Sequence, residues 1–323
     1  MSVLFSGQGS IRFTDPDDMR AWVRDHKRRD FVDKTMTAQE AVAKFVRDGD
    51  YVSFDFSSFT RGPLVLVREI IRQRRRRLWY AAKFTLIETT LFVASGCLEH
   101  IDVGFMGLGR TLNSAVERGE VTVTEWTNGT LTLRHQAGAM GVPFLPTRAL
   151  LGSDTLTYSG AKVIDDPFSH RRIALVPAVN PDVALIHVHQ ADIHGNARCF
   201  GPGVSPLETA ASAKHVIIST DEIIEHEDVR RDPGKTTIPY YVVDAVVYAP
   251  FGCYPGGLPG VYELDIDHFS DFLSAEADPQ KLAEYLDTYV YSVGSDTEML
   301  EKRVGLERLN ALKRRATIKE GYR

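Results

Sequence analysis

A strand, a small-residue loop and a helix follow one another between Asp48 and Arg72, and no other stretch constrains the fold as strongly. Gly49 suits the end of a preceding helix, because glycine takes the left-handed conformation without strain. Tyr51 to Phe56 is a short β-prone run. Ser57, Ser58, Phe59, Thr60, Arg61 and Gly62 form a loop that runs into Pro63, a favoured first helical residue. Leu64, Val67, Ile70 and Ile71 then recur at helical spacing. A strand feeding such a loop and a helix N-terminus puts free backbone N–H groups at the end of a parallel sheet, where open α/β folds bind ligands. The plainer alternative is a βα turn with no ligand.

The rest of the chain repeats the alternation. Thr37-Ala-Gln-Glu40 is a capping box that opens a helix expected to reach about Asp48. Strands are expected at 78–82, 99–106, 120–126, 172–177, 183–189, 215–219 and 242–249. Helical patterns occupy 89–96, 131–140 and 207–214, a short helix is expected at 221–227, and residues 150–172 are loop-rich. From 267 to 323 the chain is helical and amphipathic. Near-continuous apolar strands alternating with helices predict an α/β fold, an open parallel sheet covered by helices. Residues 37–323 make one domain. Residues 1–36 are polar and charged, with a short helix from Asp15 to His26, and form an arm lying on the body or on a neighbour.

Composition narrows the function. A formal charge of −5 argues against nucleic acid or a membrane surface as partner. Cys97, Cys199 and Cys253 are too scattered for a disulfide framework, which makes a reducing cytoplasm the expected location. The first residues carry neither a basic flank nor an apolar core of the secretory kind.

The motifs exclude more than they assign. Gly107-Leu108-Gly109 after a strand supplies two glycines of a dinucleotide fingerprint, but Leu112 stands at the third position. The chain has no phosphate-binding Gly-x-x-x-x-Gly-Lys and no Gly-x-Ser-x-Gly elbow. His187, His189 and His194 have a spacing that a metal can use, yet no acid or thiol partner accompanies them, so ordinary structural histidines are expected. Cys253 shows no paired base. Arg74 to Arg77 sit at a helix C-terminus, where the dipole favours cations. Three strand-end loops remain: 57–62, Lys83-Phe84-Thr85, and Gly107-Leu108-Gly109-Arg110. If their strands are parallel neighbours, the loops converge on one rim, and Arg61, Lys83 and Arg110 would suit an acyl carboxylate or a pantetheine phosphate.

Several local patterns in order resemble the α subunit of family I CoA-transferases, glutaconate CoA-transferase above all. They are Phe56-Ser-Ser-Phe-Thr-Arg-Gly-Pro63, Gly141-Val-Pro-Phe-Leu-Pro146, Pro181-Asp-Val-Ala-Leu-Ile-His187, Glu222-Ile-Ile with Val229-Arg-Arg-Asp-Pro233, and Val243-Asp-Ala-Val-Val247. Phe54-Asp55 stand where the family pairs two glycines. The resemblance runs from about Thr37 onward.

The resemblance implies coenzyme A as a substrate, with no permanently bound cofactor or metal. It also implies a hetero-oligomer with a β subunit. In that family the β subunit carries a Ser-Glu-Asn-Gly motif whose glutamate attacks the acyl-CoA thioester, and a glutamyl-CoA thioester then hands CoA to a second carboxylic acid. This chain has no Ser-Glu-Asn-Gly, and its Glu88 lacks the flanking Asn-Gly. The implied role is the non-nucleophile subunit, with no catalytic residue of its own. Its substrate-facing residues are the three loops together with Asn128 and Gln136. Two alternatives stand beside it. One is the α subunit of a CoA-ester hydrolase of the steroid ring-opening kind, whose acid falls near Asn128. The other is a non-catalytic subunit that binds CoA esters.

Overall fold

The computed structural model describes residues 2–55, 59–106 and 109–316. Among them the strands, in chain order, are β1 (Phe5–Ser6), β2 (Tyr51–Phe54), β3 (Leu78–Ala82), β4 (Leu98–Val103), β5 (Thr122–Glu125), β6 (Phe144–Thr147), β7 (Lys162–Asp165), β8 (Arg172–Pro177), β9 (Val183–Ala191), β10 (Ala197–Arg198), β11 (His215–Ile223) and β12 (Ala245–Tyr248). The main sheet has the order β12-β11-β9-β2-β3-β4-β5, every pair parallel, with β10 antiparallel against β9. This is the expected parallel sheet, and helices cover it. β2, β3 and β4 are consecutive parallel neighbours, so their C-terminal ends lie side by side on one rim.

Burial explains the elements. β2 is buried along its whole length, so it carries no polar alternation. The Leu64–Arg72 helix buries every residue from Leu64 to Ile71. Each of its aliphatic side chains is worth about 1.5–3 kcal/mol in removed apolar surface. Its C-terminal half is fastened to the helical tail by a buried pair: Arg68 donates twice to Asp296, at 2.6 Å each. The tail itself runs as helices and π-turns from Ile266 to Ala316.

Several boundaries differ from expectation, each for a tertiary reason. The Thr37 capping box is present, but its helix stops at Phe45 because Val46 is extended. Gly49, with φ +80°, therefore serves a turn and donates to Arg76 O instead of closing a helix. Pro63 precedes the helix that begins at Leu64. The helix expected at 131–140 begins at Asn128, one residue after the start of a Thr127–Thr130 capping box. The short helix expected at 221–227 is displaced to His226–Arg231, because β11 stays paired with β9 as far as Ile223.

A second, four-stranded antiparallel sheet, β1-β7-β8-β6, goes beyond what the sequence pattern predicts. Its β7 lies inside the stretch expected to be loop. Its edge strand β1 comes from the N-terminal segment, which is tied to the body at several points. Ser10 O accepts from Thr124 Oγ1 at 2.7 Å. Arg12 lies over the Trp79 ring at 4.6 Å. Lys27 Nζ pairs with Asp244 at 2.6 Å, and both side chains are about 5% exposed or less. No helix among the described residues is long and apolar enough to cross a membrane.

Candidate functional site

The rim is built on an acid that follows directly from a buried strand. Asp55, one residue beyond β2, is 2% exposed. Its carboxylate accepts from Arg61 Nη2 at 2.7 Å and from the Ser205 backbone N–H at 2.8 Å. Its carbonyl accepts from Lys83 Nζ at 3.3 Å. Lys83 also donates to Ser205 Oγ at 2.5 Å and Thr209 Oγ1 at 3.0 Å. Asp55 and Lys83 thus tie the ends of β2 and β3 to the segment that enters the Pro206–Ser212 helix. Burial pulls the Lys83 ammonium down to about 8, against the opposing pull of Asp55. The network continues inward. His135 lies 3.0 Å from both Ser53 Oγ and Ser212 Oγ, and burial, helped by the Lys83 charge, holds its pKa far below the usual histidine range.

A second brace joins β3 to β4. Thr85 donates to Phe105 O through its backbone N–H and its hydroxyl, the latter at 2.9 Å. With its amide nitrogen turned toward the carbonyls, Asn128 donates to Lys83 O and to Gly104 O, the latter at 3.2 Å. Only glycine fits at 104, since a Cβ there would stand 2.9 Å from Lys83 O. The loop after β2 is buttressed from outside: Arg61 N donates to Gly257 O, and Gly257 N to Phe59 O, each at 3.0 Å. Phe59, Thr60, Pro202 and Leu258 line a groove of about 650 Å³ beside it.

The structure sorts the expected site residues. Lys83 and Asn128 meet at the ends of β3 and β4, with Phe84 set against Phe105, whereas Phe59 and Thr60 lie on the groove with Pro202 and Gly257. Phe59 is exposed, Phe84 half-buried. Arg61 and Gly62 are buried, and the Arg61 guanidinium faces Asp55 and Pro202 O, not solvent. Gly109, with φ +114°, precedes the Arg110–Glu117 helix, whose Thr111 N–H is received by Glu276 at 3.4 Å. Arg110 is exposed on the helical layer, facing a hollow of about 460 Å³ shared with Glu276 and Leu282. Gln136 is exposed two turns along the helix from Asn128, about 12 Å away at helical rise. Ser57, Ser58, Gly107 and Leu108 lie outside the described residues.

The three histidines singled out by spacing have separate partners: His187 has Ser219 and Asp221, His189 has Phe200 N and Pro259 O, and His194 has Val32 O. Glu88 is fully buried, so it cannot meet a bulky thioester from solvent. The residues that sequence reasoning missed are Asp55 as a hub, Ser205, Thr209, Gly104 and Glu276. For Asp55 a signal existed: an acid at the end of an apolar strand, six residues before an arginine.

Comparison with known proteins agrees with this architecture. Residues 35–249 match the family described as Coenzyme A transferase. The chain is 30% identical to the α subunit of 3-oxoadipate CoA-transferase from Pseudomonas knackmussii, over 83% of this chain and 97% of that protein. It is 28% identical to the α subunit of glutaconate CoA-transferase from Acidaminococcus fermentans, over 87% of this chain and 94% of the relative. The crystal structure of glutaconate coenzyme A-transferase from that organism superimposes with a TM-score of 0.82, at 28% identity, covering 87% of this chain and 95% of the other.

Proposed function

Since this chain belongs to the coenzyme A transferase family, and within it to the α subunits, we propose that it forms one half of a two-chain enzyme whose partner β subunit brings the attacking glutamate. The observation that carries this reading is how the rim spends its own acid. Asp55 is consumed in bracing, and Glu88 is buried. In this reading the rim would supply walls and backbone donors, and the second chain the attacking carboxylate.

In the proposed cycle the partner's carboxylate adds to the thioester carbonyl and CoA thiolate leaves, giving an acyl anhydride. The thiolate then attacks the glutamyl carbonyl and releases the first carboxylic acid, which leaves a glutamyl-CoA thioester. A second carboxylate repeats the two steps in reverse and departs as the new acyl-CoA. Ser57, Ser58, Phe59, Thr60, Phe84, Gly107, Leu108 and Gly109 would face the acyl and pantetheine groups. Lys83, Arg61 and Asn128 would hold those loops in register. Short dicarboxylic acyl groups, as in the named relatives, are the first substrates to try.

Asn128 speaks against the hydrolase alternative, because an amide engaged with two carbonyls cannot serve as a base. The test is co-expression with a partner chain containing Ser-Glu-Asn-Gly, followed by borohydride or hydroxylamine trapping with a panel of acyl-CoAs. The expected product is a modified partner glutamate, with CoA transfer that requires an acceptor acid. Thioester turnover by this chain alone, or water incorporation without an acceptor, would overturn the proposal.

A further inference from the structure

The groove beside the loop after β2, at about 650 Å³, falls in the size range of small-molecule sites. Its walls are mostly apolar. Phe59 lines it and is 37% exposed, and Leu258, Pro259 and Leu264 add aliphatic surface. Thr60 contributes a hydroxyl, which is neutral.

The wall has little left to offer an anion. Gly257 N donates to Phe59 O at 3.0 Å, Leu258 N to Tyr262 O at 2.9 Å, Tyr262 N to Leu258 O at 3.1 Å and Glu263 N to Leu312 O at 3.2 Å. Pro202 and Pro259 have no N–H to give. The Tyr262 phenol is engaged within the body: it donates to Asp221 and accepts from Cys253 N, each at 3.3 Å. No lysine or arginine lines the groove among the described residues. The Arg61 guanidinium, one residue from Thr60, is turned to Asp55 and Pro202 O. The one charged side chain in the described lining is Glu263, which is exposed. A carboxylate brought here would leave water, find no cation and meet a like charge. A hydrocarbon chain would gain by burial.

We propose that this groove receives the acyl chain, and that the chain it takes is an uncharged hydrocarbon, the acyl group of a monocarboxylic acid with no second carboxylate at its far end. The inference rests on the proposed transfer reaction, in which Phe59 and Thr60 face the acyl group. Short dicarboxylic acyl groups, the first choice by kinship, are the comparison it must beat. The groove discriminates against them because the donors that could hold a second carboxylate are spent within its own wall.

Hexanoyl-CoA and adipoyl-CoA, equal in chain length and differing in a terminal methyl against a carboxylate, test this in the two-chain complex with acetate as common acceptor. The expected kcat/KM is about 100-fold or more higher for hexanoyl-CoA. From butyryl-CoA to hexanoyl-CoA it should rise about threefold for each added methylene. Glu263→Lys, a change at an exposed position, should narrow the hexanoyl-to-adipoyl ratio about tenfold. Phe59→Ser should lower kcat/KM for hexanoyl-CoA more than for butyryl-CoA. Adipoyl-CoA turned over as well as hexanoyl-CoA, or a ratio that Glu263→Lys leaves unchanged, would overturn the inference while transfer itself stands. Absence of transfer from every acyl-CoA, with no glutamyl thioester trapped, would overturn the reaction and the inference with it.

Discussion

The Asp55 carboxylate meets the Arg61 guanidinium at 2.7 Å, with neither side chain more than 2% exposed, six residues apart on either side of the loop that leaves the central strand. A buried pair of this kind gains little net stability, but losing one partner strands a charge away from water. Asp55→Ala should therefore cost about 3–5 kcal/mol. Asp55→Ala with Arg61→Ala should cost less than the sum of the two single changes. Urea midpoints of the three variants measure this, and additive costs would show that the pair is not coupled.

Lys83 has a pH signature. Its folded pKa is about 8, against 10.5 in the unfolded chain. Below pH 8 both states hold the proton, so the full cost of burying the charge, about 3 kcal/mol, is present there. Between 8 and 10.5 the folded amine releases its proton while the unfolded one keeps it. The unfolded state then binds more protons, and stability rises with pH. Urea unfolding of the parent and of Lys83→Met from neutral to alkaline pH should show the parent gaining on the variant over that window. Parallel profiles would contradict the assignment.

Asn128→Asp should not create a hydrolase. The new carboxylate would face two backbone carbonyl oxygens, Lys83 O and Gly104 O, and would repel both. A loss of about 1–3 kcal/mol is expected from the stranded acceptors. CoA transfer in the two-chain complex should fall with no gain in water incorporation from labelled solvent.

The N-terminal segment should behave as part of the body. Lys27→Met leaves Asp244 buried without its cation and should destabilise the whole chain by about 3–5 kcal/mol. A single, lower cooperative unfolding transition is the expected result. An unchanged midpoint would mean that the segment is a detachable arm.

Much of the fold was legible before the structure. The apolar-rich runs expected as strands at 51–56, 78–82 and 183–189 match strands at 51–54, 78–82 and 183–191, and helical patterns between such runs favour parallel pairing. The Thr37 capping box and the Leu64–Arg72 helix were readable from spacing, because those signals lie within one or two turns of chain. That β2, β3 and β4 are parallel neighbours, with their ends side by side, is consistent with the alternation read along the chain.

What only the tertiary structure decided was how charge and polar groups are spent. Arg61 and Lys83 looked like cations for an anionic ligand, yet they bond to Asp55, Pro202, Ser205 and Thr209 inside the rim. Those partners stand up to 141 residues apart in the chain, at separations where no periodicity records a contact. The small sheet stayed hidden for the same reason. Its edge strand at Phe5–Ser6 pairs with Lys162–Val163, and two residues of strand become a strand only when a distant one is laid beside them. Local pattern, governed by backbone geometry and apolar burial, was written in the sequence. The pairing of buried charges and strand edges is set by which surfaces the folded chain brings into contact.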